Sequence, residues 1–310
     1  MRPHLLALAL VAALAGCQPA DAPTNASTPA TSQQAGDAAV DAAFADLSKR
    51  ALDTWMQLSP VSATQIGDHR YDSELDDLSA AGQQKTLAAY KALLGELDKI
   101  EVAKLGRENQ VDAAILRNQL QSEIWNAEVL QSGKWDPQLY NGIAGSAIYG
   151  LMAREFAPLP ERLKSATARM EKLPAIFAQA RENLDPARVP KIHAETVAKQ
   201  NKGILSIVDT FITPHIGELP QADQQRLQAA IDGLKKAVDE QQTWLDKTLV
   251  PNAKGDFRIG AEKYDQKLKF ALSSSLSRQE IGERARAELK RVREDMYGIA
   301  QTVLKDKPGA

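Results

Sequence analysis

The chain has 310 residues, with 38 basic and 40 acidic side chains and a formal net charge of −2. A balance this even argues against nucleic acid as a partner, because nucleic-acid-binding domains carry a basic patch or stripe. Hydrophobic residues make up 44% of the sequence, and a chain of this length can bury enough surface for a substantial core. Its one cysteine rules out an internal disulfide, so packing alone must stabilise that core.

The first 16 residues have the pattern of a bacterial secretion signal. Arg2 supplies a basic tip, an apolar run covers residues 5–14, and two small residues precede Cys17. The apolar run has about half of the roughly 20 residues that a membrane-spanning helix needs. The order Leu-Ala-Gly-Cys at residues 14–17 resembles the bacterial lipobox, in which the cysteine receives a diacylglyceryl group and becomes the new N-terminus. We therefore predict a signal peptide over residues 1–16 and lipidation of Cys17, which attaches the protein to a membrane.

The alternative is an unmodified cysteine at the end of an ordinary signal peptide. Gln18 follows Cys17 at the position where an aspartate would resemble an inner-membrane retention signal. The sequence therefore favours the outer membrane, on its periplasmic or surface face. Two or more acyl chains hold a protein stably on a bilayer, so the rest of the chain needs no membrane-binding surface.

A segment rich in Ala, Pro, Thr, Ser, Gln and Asp follows the predicted anchor. It has few apolar residues whose burial could offset the entropy lost on ordering, so we predict a lipidated, disordered tether over residues 17–39. The remaining residues, 40–310, form the predicted folded domain.

Beyond the tether, the sequence predicts helices almost throughout. Apolar residues recur every three or four positions, as they do on one face of a helix. Pro174 lies inside one such stripe and should kink its helix, and Ser277 with Glu280 forms a predicted capping box. The stripes are strongest over 163–184, 227–245 and 289–303, and weaker helical stretches cover 42–58, 80–100, 107–132, 140–153, 191–212 and 262–273.

Strand signals are nearly absent. Residues 257–260, Phe-Arg-Ile-Gly, are the one short candidate, which we predict as an arm of a small β-hairpin. The sequence contains no convincing internal repeat. It therefore predicts an all-α fold, a multi-helix bundle-like array whose apolar stripes form a common core rather than coiled-coil seams or a cofactor box.

The sequence contains no recognisable catalytic motif. Helical zinc sites use histidines at i and i+4, as in His-Glu-x-x-His, but His69, His193 and His215 are scattered. A nucleophile elbow of the form Gly-x-Ser-x-Gly is missing as well. We interpret the histidines as surface or capping residues and the pair Asp76 and Asp77 as part of a solvated face. We expect no catalytic residue and no metal or cofactor site in this chain.

Two separated stretches resemble a bacterial family known as domain of unknown function 885. The first is residues 58–72, LSPVSATQIGDHRYD, and the second begins with residues 257–268, FRIGAEKYDQKL, and continues at 277–280 and 294–300. The resemblance spans essentially all of residues 40–310. Members of this family look like gluzincin-type metallopeptidases, which are helical proteins with a His-Glu-x-x-x-x-His-like zinc motif and a further acidic ligand in their second half.

This resemblance implies that the chain is the N-terminal half of a larger helical, metallopeptidase-like fold, because it ends before the region of the zinc motif. We therefore expect zinc, and a peptide substrate, only in a full-length family member, and no activity from this chain alone. A fragment, a split gene and a degenerate relative remain open as its origin. The rival interpretation is a non-enzymatic envelope binding or scaffold lipoprotein.

Within the second matching stretch, Arg258 and Tyr264 are the candidate contacts with a peptide substrate. A strand-like arm can offer backbone hydrogen bonds to an extended peptide. Packing of Phe257 and Tyr264 against the rest of the domain is the simpler alternative.

Overall fold

The computed structural model describes residues 36–305 and residue 307. Of these residues, 79% are helical and none belongs to a β-sheet, which confirms the predicted all-α class. In this part of the chain, no helix combines the length and the apolar composition that crossing a membrane requires. The predicted signal peptide, Cys17 and nearly all of the tether lie outside the described residues.

The helices follow one another through short connections, several of which contain a turn of 3-10 helix. Two of them, α4 and α9, end in a π-helical turn, at Asn126–Leu130 and Leu245–Leu249. In chain order the α-helices are α1 (Ala38–Leu58), α2 (Pro60–Ile66), α3 (Ala80–Leu97), α4 (Arg107–Trp125), α5 (Gln138–Met152), α6 (Leu159–Asn183), α7 (Lys191–Gln200), α8 (Gly203–Phe211), α9 (Gln221–Trp244), α10 (Val250–Asn252), α11 (Ala261–Leu272) and α12 (Arg278–Leu304).

The N-terminus of α12 has the predicted capping box. The backbone N–H of Glu280 donates to the Ser277 hydroxyl at 3.2 Å, and the backbone N–H of Ser277 donates to the Glu280 carboxylate at 2.8 Å. Each bond satisfies an N–H group that has no partner inside the helix. The helix therefore begins where the sequence predicted.

Helix α1 begins slightly before the predicted domain boundary. Asp37 caps it by accepting a hydrogen bond from the backbone of Ala39 at 2.9 Å. The N–H of Asp37 donates to the carbonyl of Lys104 at 2.8 Å and so ties the start of α1 to the segment before α4. The expected boundary between tether and domain, at residue 40, consequently falls inside α1.

The larger of two hydrophobic cores lies where α5 to α9 pack together. The apolar stripes predicted over 163–184 and 227–245 lie on α6 and α9, and their side chains are almost completely buried, which confirms both stripes. Complete burial of a Val, Leu, Phe or Met side chain contributes about 1.5–3 kcal/mol to the stability of the fold. Among the most buried are Leu163, Met170, Leu173, Phe177, Leu227, Leu234 and Val238.

The smaller core lies among α1, α3 and α4. These helices correspond to the weaker stretches that the sequence predicted over 42–58, 80–100 and 107–132. The core they share is built from Phe44, Leu47, Tyr90, Leu93, Leu97, Leu105 and Leu120.

Helix α12 carries the third predicted stripe, but no residue of this helix is buried within the described part of the chain. The predicted helix is therefore confirmed. No other element among the described residues packs on its apolar face and buries it.

The expected β-hairpin at residues 257–260 does not form, and this prediction is wrong. Gly255 makes an isolated parallel bridge with Pro190, and its N–H donates to Val189 at 2.9 Å. No described residue next to this bridge extends it into a strand. Phe257 is 52% exposed, so the segment has no buried face of the kind that stabilises a strand.

Two of the prolines that lie in helices bear on the sequence predictions. A proline often interrupts a helix, yet Pro60 is the first residue of α2, a position where the missing N–H costs little. Gly67 ends that helix with a φ of 96°, which glycine adopts without strain. Helix α6 continues through Pro174.

Candidate functional site

A pocket of about 420 Å³ opens between the smaller core and α5. This volume lies in the range that is typical of small-molecule sites, roughly 300–1,000 Å³. We call it the acidic pocket. Its walls come from the end of α1, from α3, α4 and α5, and from the connections before α3 and α5, and they include Trp55, Asp76, Tyr90, Glu123, Gln131 and Tyr140.

Asp76 reaches the pocket from the connection between α2 and α3. The backbone N–H of Val61 donates to its Oδ2 atom at 3.2 Å. Burial raises the pKa of Asp76 above its ordinary value and outweighs the opposing effects of this hydrogen bond and of the Arg169 charge. The neighbouring Asp77 is exposed and accepts a hydrogen bond from the Ser79 backbone at 3.0 Å. The interpretation of this pair as part of a solvated face is therefore wrong for Asp76.

Glu123 contributes a second carboxylate from α4. Gln119, one helical turn earlier, donates to its Oε1 atom at 2.9 Å. Burial raises the pKa of Glu123, and the Gln119 hydrogen bond only partly opposes this effect. Two carboxylates on different elements thus meet the same pocket, and both are less readily ionised than in water.

Tyr90 places a buried hydroxyl near these two acids. Burial, together with the negative charges of Glu123 and Asp76, raises the pKa of Tyr90 to about 12, although a hydrogen bond with Ser59 acts in the opposite direction. Ionisable groups with shifted pKa values in a cleft are typical of functional sites. This cluster is therefore the strongest candidate site among the described residues.

The rim of the acidic pocket has unusual backbone geometry. After the π-helical turn Asn126–Leu130, Gln131 adopts the left-handed region, with φ 53° and ψ 48°. Its N–H donates to the carbonyl of Asn126 at 2.6 Å, and its Oε1 atom accepts a hydrogen bond from Arg188 at 2.9 Å. Both π-helical turns and left-handed non-glycine residues are frequent at functional sites.

Behind the pocket, the completely buried Arg169 of α6 organises the segment that contains α2. Its guanidinium donates to the carbonyls of Pro60 and Ala147 at 3.0 Å, to that of Glu74 at 2.9 Å, and to the Thr64 hydroxyl at 2.7 Å. Burial lowers the pKa of Arg169 to about 10, and nearby carboxylates act in the opposite direction. These bonds fix residues 58–76 against α5 and α6.

The histidine in this segment belongs to the same network. Asp72 accepts a hydrogen bond from the Thr64 hydroxyl at 2.6 Å and pairs with His69 at 3.0 Å. The His69 ring stacks on Phe156 with a centroid distance of 3.6 Å. The first stretch that carries the family resemblance therefore has a structural role that is visible in its contacts.

The other two histidines of the described residues lie elsewhere. His193 Nδ1 is 3.5 Å from Asp136 and forms no hydrogen bond within the described part of the chain, and His215 Nδ1 is 2.6 Å from Glu218. No three His, Cys, Asp or Glu side chains come together anywhere in residues 36–305 and 307 in a way that could hold a metal. A catalytic zinc commonly takes three protein ligands, so the described residues do not fit a zinc site.

The two predicted substrate contacts lie outside the acidic pocket. Arg258 is exposed, 3.4 Å from Asp256, and covers the ring of Phe257 at 4.4 Å. Tyr264, near the start of α11, is 48% exposed. The structure does not bring them together with Asp76 or Glu123, and their role as substrate contacts stays a prediction.

A family model described as "Bacterial protein of unknown function (DUF885)" matches residues 60–310. A solved structure from Shewanella oneidensis, described as that of "a putative lipoprotein of unknown function", matches with a TM-score of 0.75 and 30% sequence identity. The alignment covers 86% of this chain and 49% of the Shewanella chain, so this chain spans about half of that protein's length. No curated protein matches the sequence.

Proposed function

Because this chain belongs to the DUF885 family of bacterial proteins, we propose that it is an exported envelope lipoprotein whose helical region forms one half of a zinc-peptidase-like enzyme. In this proposal Cys17 carries the lipid, Gln18 favours the outer membrane, and the substrate is a peptide. The lipobox-like residues 14–17 and the similarity to the Shewanella protein support the anchor. The resemblance of residues 58–72 and 257–268 to the family supports the peptidase-like half.

The exposed apolar face of α12 is the observation that carries this proposal. Leu289, Met296, Ile299 and Val303 repeat at helical spacing and are 59–64% exposed. Contiguous exposed apolar surface usually marks a contact surface, and this chain spans about half of the Shewanella protein's length. We infer that the second half of a full-length family protein packs on this face.

The two halves then have different tasks. The second half supplies the metal ligands and the reacting groups, since the described residues offer no set of three ligands. The helical half forms one wall of the substrate cleft and contributes the acidic pocket. Its two packed cores hold this wall in a fixed shape, which reduces the entropy lost when a substrate binds.

Co-expression with the second half of the Shewanella protein tests this arrangement. We expect the two polypeptides to purify as one complex. Met296→Glu places an unpaired charge in the contact and should weaken the complex more than about tenfold. Gln301→Glu, on the opposite side of α12 by its helical spacing, should leave the complex intact. Equal recovery of both variants, or no complex with the unmodified chain, would overturn the proposal.

A non-enzymatic binding or scaffold lipoprotein is the second candidate function. The acidic pocket favours this binding function, because every residue that lines the pocket belongs to this chain, and none has to come from a second half. This function predicts that the chain binds its ligand with the same affinity whether or not the second half is present. The peptidase function predicts that chelator-sensitive peptide cleavage appears only when both halves are present.

A further inference from the structure

We propose that the acidic pocket binds an organic cation, namely a primary amine or guanidinium group carried on a short apolar stem. This inference does not depend on the peptidase assignment, since it concerns a pocket that is complete within the described residues.

The charges around the pocket favour a cation. Asp76, Asp77 and Glu123 line it, whereas Lys134 is its one basic lining residue. Within the described part of the chain, neither Asp76 nor Glu123 forms an ion pair with a lysine, arginine or histidine. Arg169 lies near Asp76 and partly offsets its negative charge, but the hydrogen bonds of Arg169 go to carbonyl and hydroxyl oxygens.

Of the two partly buried acids, Glu123 is therefore the one whose negative charge has no nearby cation among the described residues to offset it. It is half-buried, and the hydrogen bond that it accepts comes from the neutral amide of Gln119. A carboxylate that is partly removed from water and has no cationic partner is destabilised in its ionised form. A bound ammonium or guanidinium group would supply that partner, so Glu123 is the main determinant of binding in this proposal.

The remaining lining suits the body of such a ligand. Trp55, Leu58, Leu87 and Ile143 provide apolar surface, and Tyr90 adds an aromatic ring. Aliphatic stems pack favourably on such surface, and aromatic rings attract cations through their faces. The volume of about 420 Å³ has room for one small amine with its stem.

The same features disfavour an inorganic cation. Calcium takes about six to eight oxygen ligands, with carboxylates prominent among them, whereas no three His, Cys, Asp or Glu side chains in residues 36–305 and 307 form a group that could hold a metal ion. Apolar side chains cannot replace the water that a metal ion would lose. The lining is therefore matched to a cation that itself has an apolar part.

Calorimetric titration of the full chain, with Cys17→Ser to prevent lipidation, tests the inference. The probes are agmatine and n-butylamine, with 1-butanol as an uncharged ligand of similar shape and Ca²⁺ as an inorganic cation. We expect both amines to bind and 1-butanol to bind at least about tenfold more weakly, because a hydrogen bond to a charged group contributes about 1.5–3 kcal/mol. Equal affinity for n-butylamine and 1-butanol, no binding of either amine, or competition by Ca²⁺ would overturn the proposal.

Variants then locate the binding site. Glu123→Gln keeps the shape of the side chain and should reduce amine affinity about tenfold or more, and Asp76→Asn should reduce it less. Asp112→Asn, an exposed acid on the same helix, serves as the matched control and should bind like the parent. Circular dichroism confirms that each variant is folded. A folded Glu123→Gln that binds the amines as tightly as the parent would contradict the assignment of this pocket.

Discussion

The guanidinium of Arg169 donates a hydrogen bond of 2.7 Å to the hydroxyl of Thr64, although the two residues are 105 positions apart in the chain. This contact joins α6, at the centre of the larger core, to the short helix α2. The carbonyl of Pro60, at the start of α2, accepts a second bond from the same guanidinium. The wall of the acidic pocket that contains Asp76 is therefore positioned by a buried arginine rather than by apolar packing alone.

Replacing Arg169 should strongly destabilise the chain. Arg169→Met leaves several buried carbonyl groups without a donor, and we expect a loss of about 3–5 kcal/mol in the free energy of unfolding. Urea denaturation followed by circular dichroism measures this loss. Arg226→Met is the control, because that exposed side chain pairs with Glu171 on the surface and should contribute less than about 1 kcal/mol. Similar losses in both variants would contradict the structural role of Arg169.

Protonation of the pocket acids should stabilise the fold. Burial raises the pKa values of Asp76 and Glu123 in the folded chain. Between the ordinary carboxylate pKa and these raised values, the folded state binds more protons than the unfolded state, so stability falls as the pH rises. Tyr90 and Arg169, with pKa values near 12 and 10, do not titrate in this window.

The neutral variant Glu123→Gln isolates this effect. Relative to the parent, it should gain stability as the pH rises from about 4 to 7, which urea denaturation at a series of pH values measures. Glu171→Gln is the opposite control, because its hydrogen bond with Arg226 lowers the pKa of that carboxyl. This control should lose stability relative to the parent over the same range. The same trend in both variants would contradict the pKa shift assigned to Glu123.

In the isolated chain, a charged substitution on the apolar face of α12 should have little effect on stability. Because Met296 is 63% exposed, Met296→Glu should change the stability of the isolated chain by no more than about 0.5 kcal/mol. Thermal unfolding of this variant beside Gln301→Glu provides the measurement. A large loss of stability in Met296→Glu alone would show that the face is already covered within this chain.

The lipid anchor is tested by one substitution. With Cys17→Ser, the thiol that would accept the diacylglyceryl group is missing, so the precursor should stay uncleaved by the lipoprotein peptidase and unlabelled by radioactive palmitate. The parent chain, labelled in parallel, is the control. Labelling that persists in Cys17→Ser would refute the lipobox interpretation.

Much of the fold could be predicted from the sequence because it depends on local patterns. The capping box of Ser277 and Glu280 needs only residues three positions apart, and the stripes on α6 and α9 reflect helical periodicity. Helix α2 was missed because Pro60 indicates a break and also fits the first turn of a helix. The prediction of a hairpin at residues 257–260 is wrong because a strand requires a partner strand, which the local sequence does not specify.

The acidic pocket could not be predicted in this way. Asp76 lies in a connection without periodicity, and its environment depends on contacts with distant residues, such as the hydrogen bond from the Val61 backbone. Glu123 is one polar residue among many on α4, and only the three-dimensional arrangement sets it beside Tyr90. Arg169 interrupts a stripe of buried apolar residues on α6, and this charged residue in an apolar stripe was the one available signal of a buried polar network.

The most direct test of the proposed function is the zinc content of the protein with and without its second half. Fusing the second half of the Shewanella protein to this chain should give a product that retains one zinc per molecule after dialysis and cleaves peptides in a chelator-sensitive manner, with the chain alone doing neither. Elemental analysis and a peptide-cleavage assay on both proteins make the comparison. Stoichiometric zinc with chelator-sensitive cleavage by the chain alone, or a folded fusion that binds no zinc, would contradict the account.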